Sequence, residues 1–505
     1  MTATEPTYRS AVPARLDRLP WSRFHWLVVA ALGTAWILDG LEIQMAATIA
    51  KVLTNEGTLH LTSGQAGATA SFYLAGEVVG ALVFGRLADR WGRRKLFMIT
   101  LGIYLVFSGL SGFAFSYWSF IVLRFIAGTG IGGEYAAVNS AIDELIPASH
   151  RGRTDIVVNG TYWAGAFIGA SAQLLLLNPN VLPENLGWRI SLLAGPVIGV
   201  AVWRLRRHIP ESPRWQLTHG HREEAERTVD EIERDLERRG VQLEPIGEDQ
   251  YMEVRPFKQV SYRQIATTML REYPARSVLG FTLMVTQAFL YNAIFFSYAL
   301  VLGKFFHIAD QSIPLFFLPF ALGNLLGPIV LGRMFDTLGR RKMIAGTYLI
   351  SATILAVSGY LFWIGALNAI TQTILWCIVF FFASAAASSG YLTVSEIFPL
   401  ELRGQAISFF FAISQLTGGV IAPWLFGRLV GDGTKPTPLF IGYLVGAGLM
   451  ALGGLVAAFL GVDAERRSLE DIASPLTAVR VRAAEAAEKV RDRFGPGGEA
   501  LAPPV

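Results

Sequence analysis

The chain has little charge and almost no cysteine. Of its 505 residues, 16% are Asp, Glu, Lys or Arg, against about 25% in a typical soluble domain, so we do not expect a cytosolic enzyme. The only cysteine, Cys377, lies in an apolar run, which excludes a disulfide framework and metal sites built from cysteine pairs. No G-x-x-x-x-G-K-[ST] motif occurs, so an ATP-driven pump is disfavoured. The net charge of +4 indicates no nucleic-acid partner, and no cofactor is expected.

Apolar residues are abundant instead, at 52% of the chain. A membrane-spanning helix needs about 20 of them, so twelve spans would take about 240 residues and leave about 265 for loops, tails and one insert. The sequence therefore predicts an all-α polytopic membrane protein with twelve transmembrane helices. We place them at 26–50, 64–84, 96–115, 118–141, 155–177, 187–204, 276–302, 312–331, 343–364, 371–395, 404–426 and 437–461.

Positive charge in the short loops indicates their orientation. Twelve Lys or Arg residues lie in one set of loops and four in the opposite set. Because the loops richer in Lys and Arg face the cytoplasm, the first set and both termini are predicted to be cytoplasmic. The first set is Arg86, Arg90, Arg93, Arg94, Lys95, Arg151, Arg153, Arg333, Arg340, Arg341, Lys342 and Arg403, and the second is Lys51, Lys304, Arg428 and Lys435.

The chain repeats itself, which divides it into two halves. The stretch Gly85–Lys95, GRLADRWGRRK, returns as Gly332–Lys342, GRMFDTLGRRK. The spacing E-x-x-P-x-x-x-R-G at Glu144–Gly152 returns at Glu396–Gly404. Matched signatures in matched loops are typical of duplicated transporters. We therefore expect two pseudo-symmetric six-helix halves, at 26–204 and 276–461.

Polar segments lie outside these halves. They are a cytoplasmic N-terminal tail at 1–25 without a cleavable signal, a charge-dense cytoplasmic loop at 205–275, and a cytoplasmic C-terminal tail at 462–505. Within the central loop, Ala225, Val229, Ile232 and Leu236 fall at helical spacing among charged residues, which predicts one amphipathic helix. We expect this helix to lie against the cytoplasmic ends of the bundle.

These motifs resemble those of the major facilitator superfamily. The two GRxxDxxGRRK loops, Arg124 in the fourth span and the two E-x-x-P-x-x-x-R-G endings carry the resemblance, and PESPRW at Pro210–Trp215 is similar to a stretch of its sugar porters. The resemblance implies a transporter, not an enzyme, that works by alternating access and whose loop residues close the cytoplasmic side in the outward-facing state. The residues implied in this gating are Gly85, Asp89, Arg93, Arg94, Glu144, Arg153, Asp336, Arg340, Glu396 and Arg403.

Ionisable residues inside spans are functional candidates, because each costs roughly a few kcal/mol in a bilayer unless it meets a partner or a watery cavity. Asp39 and Glu42 share one face of the first span. By resemblance to the sugar porters, Asp39 takes up a proton, and Arg124, as its ion-pair partner, tunes the pKa of Asp39. Glu42, beside them, belongs to the same predicted proton-coupling group. A purely structural buried pair is the alternative. The letters DGLE at 39–42 are also similar to the D-G-x-D signature of proton symporters for aromatic and other organic acids.

Polar side chains in the other spans are candidate substrate contacts. TQAFLYN at Thr286–Asn292 lines up with Q-Q-x-x-G-x-N of the sugar porters, but keeps only Gln287 and Asn292. GTGIGGE ends at Glu134; its Gly-Gly-Glu resembles metabolite–proton symporters, and we expect its glycines to pack helices. Glu77 is a further carboxylate with either a proton-route or a structural role. The candidates are Gln287, Asn292, Gln173, Asn159, Tyr162, Glu134, Asn324, Trp376 and Gln415, each with an ordinary interhelical contact as the alternative.

The sequence thus predicts a secondary active transporter that moves a small polar solute, a sugar or related metabolite, across the plasma membrane. Proton-coupled symport by a monomer is expected, with the solute, protons and the lipid bilayer as its partners. One alternative is an organic-acid or organic-ion proton symporter; another is a membrane sensor on the same fold that binds its ligand without moving it. PESPRW favours a sugar, whereas DGLE, Gly-Gly-Glu and the altered TQAFLYN motif favour an organic acid or other metabolite.

Overall fold

The structure is a computed structural model that describes residues 8–178, 180–254, 267–308, 312–431 and 433–473. Over these residues the chain is a bundle of long helices with one two-stranded sheet. Its first part contains β1 Tyr8–Ser10, α1 Val12–Asp17, α2 Arg23–Val52, α3 Ser63–Trp91, α4 Arg93–Ser111, α5 Tyr117–Leu145, α6 Arg151–Gly160, α7 Tyr162–Leu176, α8 Glu184–Arg206, α9 Pro213–Thr218, α10 Arg222–Arg238 and β2 Met252–Val254. Its second part contains α11 Pro274–Phe305, α12 Ile313–Thr337, α13 Arg340–Trp363, α14 Ala369–Ile397, α15 Leu400–Ser414, α16 Ala422–Val430, α17 Pro436–Leu460 and α18 Leu469–Ile472, with π-helical turns at Thr268–Glu272 and Gln415–Ile421.

Ten helices in the described part of the chain are long and apolar enough to cross a membrane, so the protein has an all-α polytopic membrane fold. Two predicted spans, 155–177 and 404–426, are interrupted. The first breaks at Thr161 between α6 and α7, and the second contains the π turn between α15 and α16. Both are the fifth predicted span of their half. The count of twelve spans therefore stays a prediction, and the matched breaks point to a binding site near them.

The two halves meet through matched helices. α6 and α7 of the first half pack on α12 of the second, while α3 of the first packs on α15 of the second. In both cases the fifth predicted span of one half contacts the second predicted span of the other. We call the end of the bundle that carries Gly85–Lys95 and Gly332–Lys342 the motif end.

Glycines bring α3 and α5 into backbone contact. A Cβ atom on Gly128 would overlap the carbonyl oxygen of Tyr73, and one on Gly132 would overlap that of Glu77. The glycine run of α5 therefore packs helices, as small residues do in membranes. Its agreement with the dinucleotide-binding G-x-G-x-x-G spacing is accidental, because no βαβ unit surrounds it among the described elements.

The N-terminal segment and the central loop form one small module outside the spans. β1 pairs antiparallel with β2, and Val12 and Leu16 of α1 join one apolar cluster with Val229 and Leu236 of α10. Arg15 completes the contact by pairing with acidic residues of α10. The amphipathic helix predicted in the central loop is present, but its apolar face is covered by α1 and α9, which no sequence pattern in residues 8–19 indicated.

Asp17 joins this module to the first half. One carboxylate oxygen accepts a hydrogen bond from Arg214 of PESPRW at 2.8 Å. The other accepts bonds from Arg151, the first residue of α6, and from the backbone N–H of Ala148, both at 3.2 Å. Since α6 is part of the interface between the halves, the N-terminal segment directly contacts a helix of that interface.

Candidate transport site

A cavity of about 170 Å³ lies between the halves, next to both interrupted spans. Five of the nine predicted substrate contacts line it. They are Asn159, Tyr162, Gln287, Asn292 and Gln415. The two residues kept from the sugar-porter motif therefore reach the cavity, as do side chains beside both helix breaks.

The structure places the other four candidates outside the lining. Gln173 donates to the carbonyl oxygen of Met45 at 2.8 Å, and Trp376 is buried between helices. Asn324 contacts the cavity only indirectly. It accepts a hydrogen bond at 2.8 Å from the hydroxyl of Tyr291, which does line the cavity. Gln173 and Asn324 thus contact neighbouring helices within their own halves, and a substrate role for these three residues stays a prediction.

Glu134 is the fourth candidate that does not line the central cavity. Its two carboxylate oxygens accept hydrogen bonds from Nη1 and Nη2 of Arg206, both at 2.9 Å. The side chains of this pair are buried, and such bidentate pairing fixes both groups. Glu134 faces a small separate void with Asp39 and Tyr135 instead of the central cavity.

Aromatic rings dominate the cavity, and only Tyr162 among them was predicted. The others are Trp36, Tyr135, Trp163, Tyr291, Phe295 and Tyr391. Trp163 faces Tyr291 with ring centroids 5.7 Å apart, and Tyr135 is stacked on Tyr391 at 6.1 Å. In each pair the two rings come from opposite halves. Aromatic residues are common throughout these apolar spans, so the sequence carried no signal that singled these out.

Polar groups complete the lining without a cation. Besides the four amides, the hydroxyl side chains Ser384 and Ser388 reach the cavity. Among the described lining residues there is no Lys, Arg or His. A carboxylate ligand would therefore find hydrogen-bond donors in this cavity but no positive charge with which to pair.

Arg124 pairs with Glu42 and not with Asp39. Its Nη1 donates to Glu42 Oε1, which also accepts a bond from Ser108, while the Tyr104 hydroxyl donates to Oε2 at 3.1 Å. The predicted direct Asp39–Arg124 pair is thus corrected. α2 and α5 run in opposite directions, so the C-terminal part of α2 lies beside the N-terminal part of α5, which contains Arg124. Glu42 lies about 4.5 Å beyond Asp39 along α2 and is therefore the nearer carboxylate.

Asp39 has a different environment. Its Oδ2 accepts a hydrogen bond from the Tyr135 hydroxyl at 2.6 Å, and its Oδ1 has no hydrogen-bond partner among the described residues. The residue is buried, with 3% of its surface exposed. A buried carboxylate without a cation is costly when ionised, so this site is suited to holding a proton. Tyr135 also lines the cavity, which connects Asp39 to it.

Glu77 connects the two halves beside the cavity. The residue is fully buried on α3, and its Oε2 accepts a hydrogen bond at 3.4 Å from Nε2 of Gln415, the first residue of the π turn. Its Oε1 has no hydrogen-bond partner among the described residues. Because Gln415 lines the cavity, a single amide separates this carboxylate from the space available to a ligand.

At the motif end, Arg340 organises the second half. Its guanidinium donates to both oxygens of Glu396 at 3.1 Å, to Asp336 at 2.6 Å and to the carbonyl oxygen of Phe335 at 2.8 Å. The other oxygen of Asp336 accepts a bond at 2.7 Å from the backbone N–H of Arg153 on α6. This contact joins the two halves, and it uses the backbone of Arg153, whose side chain is exposed.

The first half repeats part of this arrangement. Arg93 donates to Glu144 at 3.1 Å, and both side chains are buried. The backbone N–H groups of Arg93 and Arg94 donate to the two oxygens of Glu211 in PESPRW, at 2.8 and 3.2 Å. Burial raises the pKa of the Glu211 carboxyl, although its backbone hydrogen bonds lower it. Glu211 thus caps the positive N-terminal end of α4.

Glu465 has the same role in the second half. It accepts a hydrogen bond at 3.3 Å from the backbone N–H of Arg340, the first residue of α13. In both halves the residue before the capped helix is a glycine with positive φ, Gly92 at 89° and Gly339 at 105°. A glycine permits this turn, and a side chain at Gly92 would overlap the Glu211 carboxylate. Glu465 lies outside the repeated motifs, so the sequence did not indicate it.

The remaining predicted gating residues are partly described. Gly85 is buried in α3, and Arg403 is buried where it acts electrostatically on Asp143. The side chain of Asp89 lies outside the described residues. Asp143 and Asp155 were not predicted, yet both are fully buried beside this cluster, so the motif end contains more acidic groups than the loop motifs indicate.

Comparisons with known proteins agree with this architecture. A family model described as "Sugar (and other) transporter" matches residues 26–475. The niacin transporter NiaP of Acinetobacter baylyi is 29% identical over 417 residues, which cover 81% of this chain and 88% of NiaP. The inner membrane metabolite transport protein YdjE of Escherichia coli is 27% identical over 479 residues, covering 91% and 98%. A structure of the E. coli proton:xylose symporter XylE bound to 6-bromo-6-deoxy-D-glucose matches with a TM-score of 0.73 and 18% identity, over 89% of this chain and 98% of XylE.

Proposed function

This chain belongs to the sugar and other transporter family of the major facilitator superfamily, and from that premise we propose that it is a proton-coupled symporter of a small planar metabolite. It is a transporter and not an enzyme, with a multi-pass membrane fold. In our proposal the protein lies in the bacterial inner membrane as a monomer, with the motif end and both termini in the cytoplasm. The two halves alternate access to the cavity, and the Arg340 cluster closes the cytoplasmic side.

The aromatic lining of the cavity is the observation on which the proposed class of solute rests. Two ring pairs, Trp163–Tyr291 and Tyr135–Tyr391, approach from opposite halves, and aromatic rings favour offset or edge contacts with another ring. A cavity of about 170 Å³ suits a single heteroaromatic ring with a carbonyl or carboxyl substituent. Since none of the described lining residues is a cation, an aromatic acid would enter together with a proton. The naming of NiaP for niacin supports this class.

A sugar is the second candidate, because Gln287 and Asn292 line the cavity with Asn159 and Gln415. Amides both donate and accept hydrogen bonds, as hydroxyl groups require. The family description and the proton:xylose symporter XylE support it too. The ring-dominated lining makes it the weaker candidate.

Asp39 is the proton carrier in this proposal. Two observations support the role: its Oδ1 has no hydrogen-bond partner in the described part of the chain, and its Oδ2 accepts a hydrogen bond from cavity-lining Tyr135. Glu42 instead forms an ion pair with Arg124, and its carboxylate also accepts hydrogen bonds from two hydroxyl groups. Removing a proton carrier should stop coupled transport but not exchange of solute.

Proteoliposomes with an inward proton gradient and an internal pH dye test the proposal. Nicotinate, nicotinamide, D-xylose and D-glucose are added singly, and internal acidification is expected with the pyridine compounds only. Asp39→Asn should abolish this acidification while tracer counterflow persists. A response to sugars alone would select the second candidate, and tracer counterflow without any proton movement would refute the coupling.

A further inference from the structure

We infer that Glu77 and Gln415 form a proton-operated hydrogen-bond switch, in which the charge of Glu77 decides whether Gln415 offers the cavity an acceptor or a donor. This inference rests on the proposed proton symport. It gives the protein a second protonation site besides Asp39, and the proton at this second site changes how the solute is bound. It assigns Glu77 a positioning role, because Glu77 acts on the solute only through Gln415.

The position of Glu77 is fixed by its surroundings. Its backbone carbonyl packs against Gly132 of α5, where a Cβ atom would not fit, so α3 cannot shift the carboxylate away from the second half without separating from α5. The side chain is fully buried, and its one hydrogen bond to the described part of the chain goes to Gln415 at 3.4 Å. The charged groups around it are Asp39 from α2 and Arg124 from α5. The neighbouring hydroxyl groups are those of Tyr73, Tyr135, Tyr162 and Tyr391.

Arg124 does not neutralise Glu77 by contact. Its guanidinium pairs with Glu42 and lies 4.1 Å from the centroid of the Tyr73 ring. Glu77 therefore has one amide N–H for two carboxylate oxygens, which is too few donors for a buried ionised carboxylate. This imbalance favours binding of a proton at Glu77 when one can reach it from the cavity.

The chemistry of the amide makes the contact reversible. An ionised Glu77 can only accept, so it requires the N–H of Gln415, whose carbonyl oxygen is then directed elsewhere. A protonated Glu77 carries an O–H that can donate to that carbonyl oxygen. A half-turn of the amide plane satisfies the protonated state without moving the backbone. One proton is bound at Glu77, and no bond other than hydrogen bonds changes.

The consequence reaches the solute because Gln415 lines the cavity. With Glu77 ionised, Gln415 presents a carbonyl oxygen and suits a donor group. With Glu77 protonated, it presents an N–H and suits a carbonyl or carboxylate oxygen of the solute. A solute with such an oxygen thus binds more tightly to the protonated protein, which makes proton binding and solute binding cooperative.

The first experiment needs no solute. Infrared difference spectra of the purified protein in lipid nanodiscs are recorded over a pH titration. The wild type should show a carboxylic-acid C=O band that Glu77→Gln lacks and that Asp39→Asn keeps. Gln415→Leu should shift this band, because the acid loses its hydrogen-bond partner. Identical band changes in the wild type and Glu77→Gln would overturn the inference, as would an unshifted Glu77 band in Gln415→Leu.

The second experiment measures nicotinamide binding by calorimetry on the acid and alkaline sides of that titration. One hydrogen bond of about 1 kcal/mol corresponds to about fivefold tighter binding to the wild type on the acid side. In an Asp39→Asn background, which removes the pH dependence of the other proposed proton site, the additional Glu77→Gln should bind equally on both sides, at the acid-side affinity. A fivefold change that persists in this double variant would overturn the inference. If wild-type liposomes show no solute-driven proton flux, the proposed function fails separately, and the infrared bands still decide the switch.

Discussion

Gly152→Ala should open the motif end, although it introduces a better helix former. Gly152 lies in α6 of the first half, and a Cβ atom there would overlap the guanidinium of Arg340 in the second half. The guanidinium cannot easily move aside. It is buried and holds four hydrogen bonds, to Glu396, Asp336 and Phe335.

The size of the effect follows from those bonds. To admit one methyl group, Arg340 must give up at least one charge-assisted hydrogen bond, at a cost of about 1.5–3 kcal/mol. That cost applies only while the halves are in contact, so the equilibrium should shift toward the open motif end by about 10- to 150-fold. The helix-propensity gain from Gly to Ala, about 1 kcal/mol, applies to both states and cancels.

Spin labels at exposed Arg90 and Leu338, one from each half, would report the opening in a Cys377→Ser background. Pulsed electron–electron distance measurements should show a longer-distance population in Gly152→Ala. Gly346→Ala is the matched control, because nothing lies within 4 Å of its added Cβ, and it should give the wild-type distribution. The same distribution in both variants would refute the steric reasoning.

Three further perturbations test other parts of the structure. Glu465→Gln and Glu211→Gln each weaken a helix cap and should cost about 1 kcal/mol, seen as lower Tm; unchanged melting of both would argue against capping. Glu42→Gln leaves Arg124 buried without its counter-ion and should cost about 3–5 kcal/mol, so a normal yield of monodisperse protein would contradict the pairing. Burial alone would raise the pKa of Glu233, but hydrogen bonds from two arginines outweigh it and hold the pKa below its usual value. Its stabilising effect is therefore complete above the ordinary glutamate pKa and is lost as pH falls through the lowered one, so limited proteolysis should release the N-terminal segment in acid; equal protection at neutral and acid pH would contradict this.

The spans and the motif-end clusters could be predicted because they follow from sequence patterns whose meaning does not depend on side-chain rotamers. A long apolar run must be a helix in a membrane, and a repeated loop must occupy equivalent places in two halves. The amides Gln287 and Asn292 were predicted from their resemblance to a sugar-porter motif, and both line the cavity. The two helix breaks were not foreseen. Asn159 and Gly160, just before Thr161, form a turn-type dipeptide that the predicted span 155–177 does not take into account, whereas Gln415 follows Ser414, which is not a strong helix breaker.

The ion pairs inside the spans could not be predicted, because they depend on how deep each residue lies in the bundle and how far its side chain extends. Asp39 and Glu42 lie on one face of α2, and only the antiparallel course of α5 decides that Arg124 meets Glu42. Glu134 meets Arg206 across 72 residues of sequence, and no local pattern connects them. The aromatic lining was missed for another reason, since rings that line a cavity and rings that face lipid look alike in a sequence.

The two carboxylate caps bear on how the chain is made. Glu211 follows the last predicted span of the first half and closes on Arg93, 118 residues earlier; Glu465 follows the last predicted span of the second half and closes on Arg340, 125 residues earlier. Each half therefore completes its own loop motif with a residue synthesised just after its final helix. The first half can finish this closure during translation, before any of the second half leaves the ribosome. Assembly then reduces to the meeting of two units that are already complete at the motif end.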